Sequence, residues 1–220
     1  MCIGKDFCVE LGTDALKWSK ESPLKRPEWF ESQIDLFVEA VSSFQEGDSE
    51  TCLGLISQIR SEEIIDWYVE HGQMSGKHRS SGLRLDESLE VPIGYRDPQR
   101  SPKKIELSVF HRDNYHCRYC GGRLIPTNFM SSFLTELNSD VFRNGRTNRD
   151  RHGIIHLTNP VADHVIPWRL GGKTSLENLV SSCPPCNYGK AGYSLEQLGL
   201  ETPFNRPVIM DNWCESQIFD

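Results

Sequence analysis

Two Cys-x-x-Cys pairs, Cys117/Cys120 and Cys183/Cys186, stand 62 residues apart in this 220-residue chain. Each pair is short enough to bring two sulfurs to one ion, and four thiolates complete a tetrahedral shell around zinc. The fold must therefore return the chain from position 183 to position 117. A closed four-sulfur shell leaves no open position, so the expected zinc is structural and says nothing about catalysis. The bland alternative is a set of unmetallated buried thiols or a redox pair. The opening residues, Met1 to Asp6, lack a basic region followed by an apolar stretch, which does not resemble a secretory leader. The expected compartment is the cytoplasm, where cysteines at this spacing bind metal more often than they form disulfides. Cys2, Cys8, Cys52 and Cys214 are scattered and read as ordinary reduced thiols.

The length allows one full domain, or a small catalytic domain with a helical companion. No run of 18 apolar residues occurs, so a membrane span is not expected. The net charge of −7 argues at first against a nucleic-acid enzyme, but the charge is uneven: residues 1–100 hold 11 Lys/Arg against 19 Asp/Glu, and residues 101–200 hold 12 against 8. Phosphate binding depends on the local field, so the mildly basic second half is compatible with it. The acidic half is expected to face solvent or a protein partner.

Trp29, Phe30, Ile34, Phe37, Val38, Val41 and Phe44 recur at three- and four-residue steps, which predicts an amphipathic helix over 27–46. Shorter helices follow at about 49–59 and from Ser61 to about Gly72. Together they predict an acidic helical bundle over 1–75, with a packing or partner-binding role. Phe30, Phe37, Val41 and Phe44 are candidates for self-association. Residues 76–104, rich in Gly, Ser, Arg and Pro, read as a linker with a strand signal only at Leu89 to Ile93. Beyond it come a short helix leading to Cys117, an insertion over about 124–160, a buried strand after Pro160, a loop opened by Gly171-Gly172, a strand at Leu179-Val180 and a helix from Pro184 to Lys190. Residues 201–220 read as a tail.

The chemistry gathers in that last stretch. Asp163-His164 is followed by Asn178 and then by Cys183-Pro184-Pro185-Cys186-Asn187-Tyr188-Gly189-Lys190. Together with Ala162 to Pro167, Gly171-Gly172, Glu177 to Val180 and Arg112 to Cys120, this region resembles the HNH endonuclease family over roughly residues 105–195. The resemblance implies an α+β chain whose C-terminal ββα-metal domain is stapled by zinc, beside the N-terminal helices. It implies that His164 is the general base, Asn178 orients the histidine and holds the loop, and Asp163 and Asn187 bind a catalytic divalent ion. Asparagine at 187, where the family usually has histidine, makes this an H-N-N variant. An amide oxygen suits a hard cation, which shifts the expected ion to Mg²⁺ or Mn²⁺.

The function implied is metal-dependent hydrolysis of phosphodiester bonds, in DNA rather than RNA, with a restriction or phage-defence setting. The rival is a zinc-stapled nucleic-acid-binding subunit of a larger complex, catalytically weak. Arg169 and Lys190 are candidate contacts to the nucleic acid, balanced against a surface ion pair and an exposed helix lysine. Arg143 and Arg146, with Arg149 and Arg151, are candidates for a phosphate-tracking loop, or equally for a solvated variable loop. His152 and His156 are weaker catalytic candidates than His164 because neither sits in a matching motif.

Overall fold

The computed structural model describes residues 22–24, 26–74 and 87–213. Cys2, Cys8 and Cys214, and most of the Gly/Ser-rich stretch before Glu87, lie outside the described residues. Helix α1 (Phe30–Gln45) is followed by α2 (Ser49–Gln58) and α3 (Ser61–Trp67), which runs on as a π-helical turn, Tyr68–Gln73. Asp48 caps α2, its carboxylate accepting from the Thr51 amide at 2.9 Å. This satisfies one of the orphan donors of the first turn. The rest of the order is α4 (Glu106–Arg112), α5 (Thr127–Leu137), α6 (Gly153–Thr158), β1 (Val161–His164), β2 (Leu179–Ser182), α7 (Pro184–Lys190) and α8 (Leu195–Leu198). This is the mixed architecture expected, helical at first, with a small two-stranded sheet and its helix in the C-terminal half.

The N-terminal helices do not stand apart. One hydrophobic cluster contains Phe30, Ile34, Phe37 and Val41 of α1 together with Cys117, Leu124, Phe133, Phe142, Leu157 and Val180. The aromatic periodicity of α1 is met by the insertion: Phe37 packs edge-on against Phe133 at 5.5 Å and stacks on Phe142 at 5.3 Å, and Phe44 meets Phe133 at 5.3 Å. Phe30, Phe37 and Val41 are at most 1% exposed. This corrects the expectation that these residues offer a self-association face. Phe133 of helix α5 supplies two of these contacts, beside α2, which packs along α1, and the apolar positions Met130, Phe133, Leu134 and Leu137 of α5 carry the helical period.

Antiparallel strands β1 and β2 pair Asp163 with Val180 and His164 with Leu179. Proline at the first helical positions then starts α7 from Cys183. Asp113, at the end of α4, is 1% exposed and accepts from the Ser181 amide at 2.7 Å. Its charge is balanced by Arg112 at 2.8 Å, and Arg112 also donates to the carbonyls of Leu176 and Leu179. The strand expected at Leu89 to Ile93 is absent: Glu87–Leu89 and Ile93–Tyr95 are 3₁₀ turns. Their contacts are made by side chains and single amides rather than by a ladder, which no alternating pattern announces.

His152, 6% exposed against Phe142, has an Nδ1 without a hydrogen-bond partner. Burial, with a smaller contribution from neighbouring His156, lowers its pKa from 6.5 to about 4. Unfolded chains therefore take up a proton near pH 6.5 that the folded protein refuses until about pH 4. Stability is full above pH 6.5 and falls by about 3 kcal/mol on acidification to pH 4. Urea midpoints at pH 7.5, 6 and 5 should drop steadily, and less so in His152→Phe. Midpoints that do not move with pH would refute this.

Candidate active site and metal centre

The cysteines meet as their spacing requires. The four Sγ atoms of Cys117, Cys120, Cys183 and Cys186 lie within 4.8 Å of one another, and Cys120 and Cys183 are 3.7 Å apart. A tetrahedron with Zn–S bonds of about 2.3 Å has edges of about 3.8 Å, so the donor set fits one structural zinc. The first turn is closed by the Cys117 amide donating to Gly122 O and the Gly121 amide to Cys117 O, with Gly121 at φ +74°. Arg26 approaches Cys120 Sγ at 3.5 Å and Ser22 approaches Cys186 Sγ at 3.4 Å. The segment before α1 thus wraps the sulfur cluster, a contact the sequence did not suggest.

His164 ends β1 and lines a cavity of about 400 Å³ with Asp163, Arg96, Arg100, Trp168, Arg169 and Lys190. Its shape comes from the loop between the strands. Asn178, 8% exposed, accepts from the Ile166 amide at 2.8 Å and donates to Ile166 O at 3.0 Å and Lys173 O at 2.9 Å. Glycine is required at 172, where a Cβ would lie 1.8 Å from Ile166 O.

Residues expected to be linker cross this loop. Val91 N donates to Arg169 O, Trp168 Nε1 to Asp97 O at 2.7 Å, and Thr174 N to Asp97 Oδ2 at 2.7 Å. Arg96 and Arg100 sit over the Trp168 ring at 4.9 and 5.1 Å. Both arginines were missed in the sequence, where an isolated Arg-x-x-x-Arg among Pro and Ser carries no period.

Thr174 decides which nitrogen of His164 holds the proton. The threonine hydroxyl has one hydrogen, and it faces Gln99 O, a carbonyl that only accepts. Toward His164 Nε2, 2.8 Å away, the same oxygen must therefore accept. Nε2 carries the proton and Nδ1 keeps the free lone pair. Burial lowers the His164 pKa below 6.5, Lys190 adding to this and Asp163 opposing it. The ring is thus neutral at pH 7.

Asp163 is 6% exposed and accepts from the Tyr119 hydroxyl at 2.7 Å. Lys190 lies 3.3 Å from its Oδ2 and donates to His164 O at 2.7 Å. Lys190 is completely buried, which corrects its reading as a surface contact to nucleic acid: its charge balances Asp163 from inside. Lys190→Met should leave a buried carboxylate uncompensated and destabilise the protein by about 3–5 kcal/mol. Adding Asp163→Asn should recover much of that loss in urea unfolding, and a single variant as stable as wild type would contradict the pairing.

The other expected residues divide. Asn187 lines a neighbouring cavity with Tyr68 and His156 rather than the one containing His164. Arg169 donates to Glu90 at 2.6 Å and to Gly192 O at 2.9 Å, leaving its buried Nη2 without a partner. Arg143 faces a separate hollow with Arg149, Arg151 and His152, and Arg146 is exposed. His156 Nε2 donates to Asn148 O at 2.8 Å, and the ring stacks on Tyr68 at 4.3 Å.

Among the described residues that line the His164 cavity, Lys190 is paired with Asp163, and Arg96 and Arg169 share Glu90, which leaves Arg100 as the cation without an ion pair and open to an anion. For a catalytic cation, Asp163 is the only anionic donor among the described lining residues, and its oxygens already accept from Tyr119 and pair with Lys190. A Mg²⁺ ion, which binds through one or two carboxylates and completes its shell with water and substrate phosphate, would have to share this carboxylate with Lys190.

With this geometry in view, residues 150–191 match the family model described as HNH endonuclease. The C-terminal half therefore carries an HNH domain, spanning β1, the loop, β2 and α7, while the first cysteine pair falls outside the match. No curated protein and no solved structure matches the chain significantly.

Proposed function

We propose that this protein is a metal-dependent endonuclease that hydrolyses phosphodiester bonds in DNA, with restriction or phage defence as its setting. The observation that carries the reading is His164, with a free Nδ1 lone pair set by Thr174, in a cavity lined by the guanidinium groups of Arg96, Arg100 and Arg169. The HNH match supports the same chemistry. The phosphate docks against the guanidinium groups, and His164 Nδ1 takes a proton from a water that attacks phosphorus. The P–O bond opposite breaks, and its oxygen leaves with a proton from solvent. Asp163 with the substrate phosphate would hold Mg²⁺ or Mn²⁺, which supplies neutralisation of the charge building on the phosphate and leaving oxygen.

The rival reading, a catalytically weak nucleic-acid-binding subunit, keeps the basic cavity and needs no base. Comparing supercoiled DNA with an RNA of similar length, each with and without Mg²⁺ or Mn²⁺, tests both. DNA cleavage that needs the ion supports the proposal; tight binding with no cleavage supports the rival.

Arg100 is exposed and forms no ion pair among the described residues. Its replacement by Gln should weaken DNA binding about three- to tenfold and lower the salt slope by about one. A titration against salt that overlays the wild-type curve would remove Arg100 from the phosphate site.

A further inference from the structure

Beside the His164 cavity, across α7, lies a second hollow of about 430 Å³ that the reaction does not use. Its wall joins three parts of the chain: Tyr68 from the turn after α3, Asn144 and Arg151 from the insertion, and Asn159, Asn187 and Tyr188 near or on the HNH elements. Among its lining residues there is no carboxylate, so it does not suit a metal ion or an amine. The side-chain amides of Asn144, Asn159 and Asn187 make no hydrogen bond among the described residues. Arg151 uses Nε on Gly145 O at 2.9 Å and forms no ion pair there. Tyr188 is 41% exposed, its ring edge-on to Tyr68 at 6.3 Å.

We propose that this hollow, the Asn187–Tyr188–Arg151 pocket, holds one unstacked base of the nucleic-acid strand being cut. The inference deepens the nuclease reading and rests on it. Amides both donate and accept, which matches the mixed edge of a base. An exposed aromatic face stacks on any base, and an uncommitted guanidinium takes the adjoining phosphate. The helix cannot act as a groove-reading element. Pro184, Pro185, Cys186, Gly189 and Lys190 of α7 are buried, leaving only Asn187 and Tyr188 on the open side. The base must therefore come to the helix rather than the helix enter a groove. Asn187 stands three residues from Lys190, about 5 Å along the axis, and Lys190 touches His164. The base held here then lies roughly one or two nucleotides from the phosphate that is cut, at about 3.4 Å per nucleotide.

The test uses the full zinc-loaded chain and single-stranded DNA oligonucleotides carrying one 2-aminopurine, with no added divalent ion. A ligand role of Asn187 towards a catalytic cation does not register under that condition. Wild-type protein should bind and change the fluorescence strongly at one or two adjacent positions of the probe relative to the cleavage position. Tyr188→Leu should weaken binding roughly five- to a hundredfold, the span of base–aromatic stacking, and Asn187→Ala roughly tenfold, while Tyr188→Phe, which keeps the ring, restores most of the binding lost in Tyr188→Leu. If Tyr188→Leu and Asn187→Ala bind like wild type, the pocket does not hold a base. If wild type cuts plasmid yet binds no single strand, the inference fails and the nuclease reading stands. If it neither binds nor cuts, both fail.

Discussion

Replacing Cys183 by serine will remove zinc and unfold the C-terminal half of the protein. The sulfur cluster joins the turn before the insertion to the turn between β2 and α7. Structural zinc contributes on the order of 10–16 kcal/mol to small zinc-bound peptides, against a total stability of about 5–15 kcal/mol for an ordinary domain. Metal analysis should find one zinc per chain in the wild type and almost none in Cys183→Ser, with a fall in cooperative thermal unfolding to match. The loss should reach the reaction as well, because α7 carries Lys190, which holds the His164 carbonyl. A variant that loses zinc and keeps its melting temperature would show that the thiols are not a staple.

His164→Ala should lower DNA cleavage by about 10²–10⁴, the usual contribution of a positioned general base, without changing bound zinc. The histidine is half-buried and its main chain stays paired with Leu179, so truncation removes the ring and little of the strand. Free imidazole, small enough for the vacated space, should restore part of the rate. A fall in plasmid affinity with an unchanged rate at saturation would mean that His164 binds substrate and another group takes the proton.

Elements with their own local chemistry were legible in the sequence. Pro184 and Pro185 after Cys183 announced α7, and Leu179-Val180 announced β2, because helix starts and short apolar strands are written in adjacent residues. The amphipathic face of α1 was equally clear. What it packs against was not, since Phe133 and Phe142 lie in an insertion more than ninety residues away. The period of α5 was present in Met130, Phe133, Leu134 and Leu137 and was overlooked inside a segment read only as an insertion. The crossing of residues 91–99 over the loop had no such signal: it rests on single bonds such as Thr174 to Gln99 and Trp168 to Asp97, and irregular backbone has no repeat to detect.

At the site, residue types were legible and their directions were not. The Asp163-His164 pair and Asn178 stand around one loop, as motif spacing alone can suggest. That Lys190 turns inward to Asp163, while Asn187 looks into the next hollow, depends on how a seven-residue helix is rotated against β1. Two or three residues on so short a helix do not determine that rotation; the packing of Leu24 against Gly189 and of Tyr68 against Tyr188 helps to set it.

The central claim is tested most directly by incubating supercoiled plasmid with the zinc-loaded protein, with and without Mg²⁺ or Mn²⁺, beside His164→Ala at equal zinc content. The account predicts nicked or linear DNA only with wild type and added ion. Equal cutting by wild type and His164→Ala, or cutting that ignores the added ion, would contradict it.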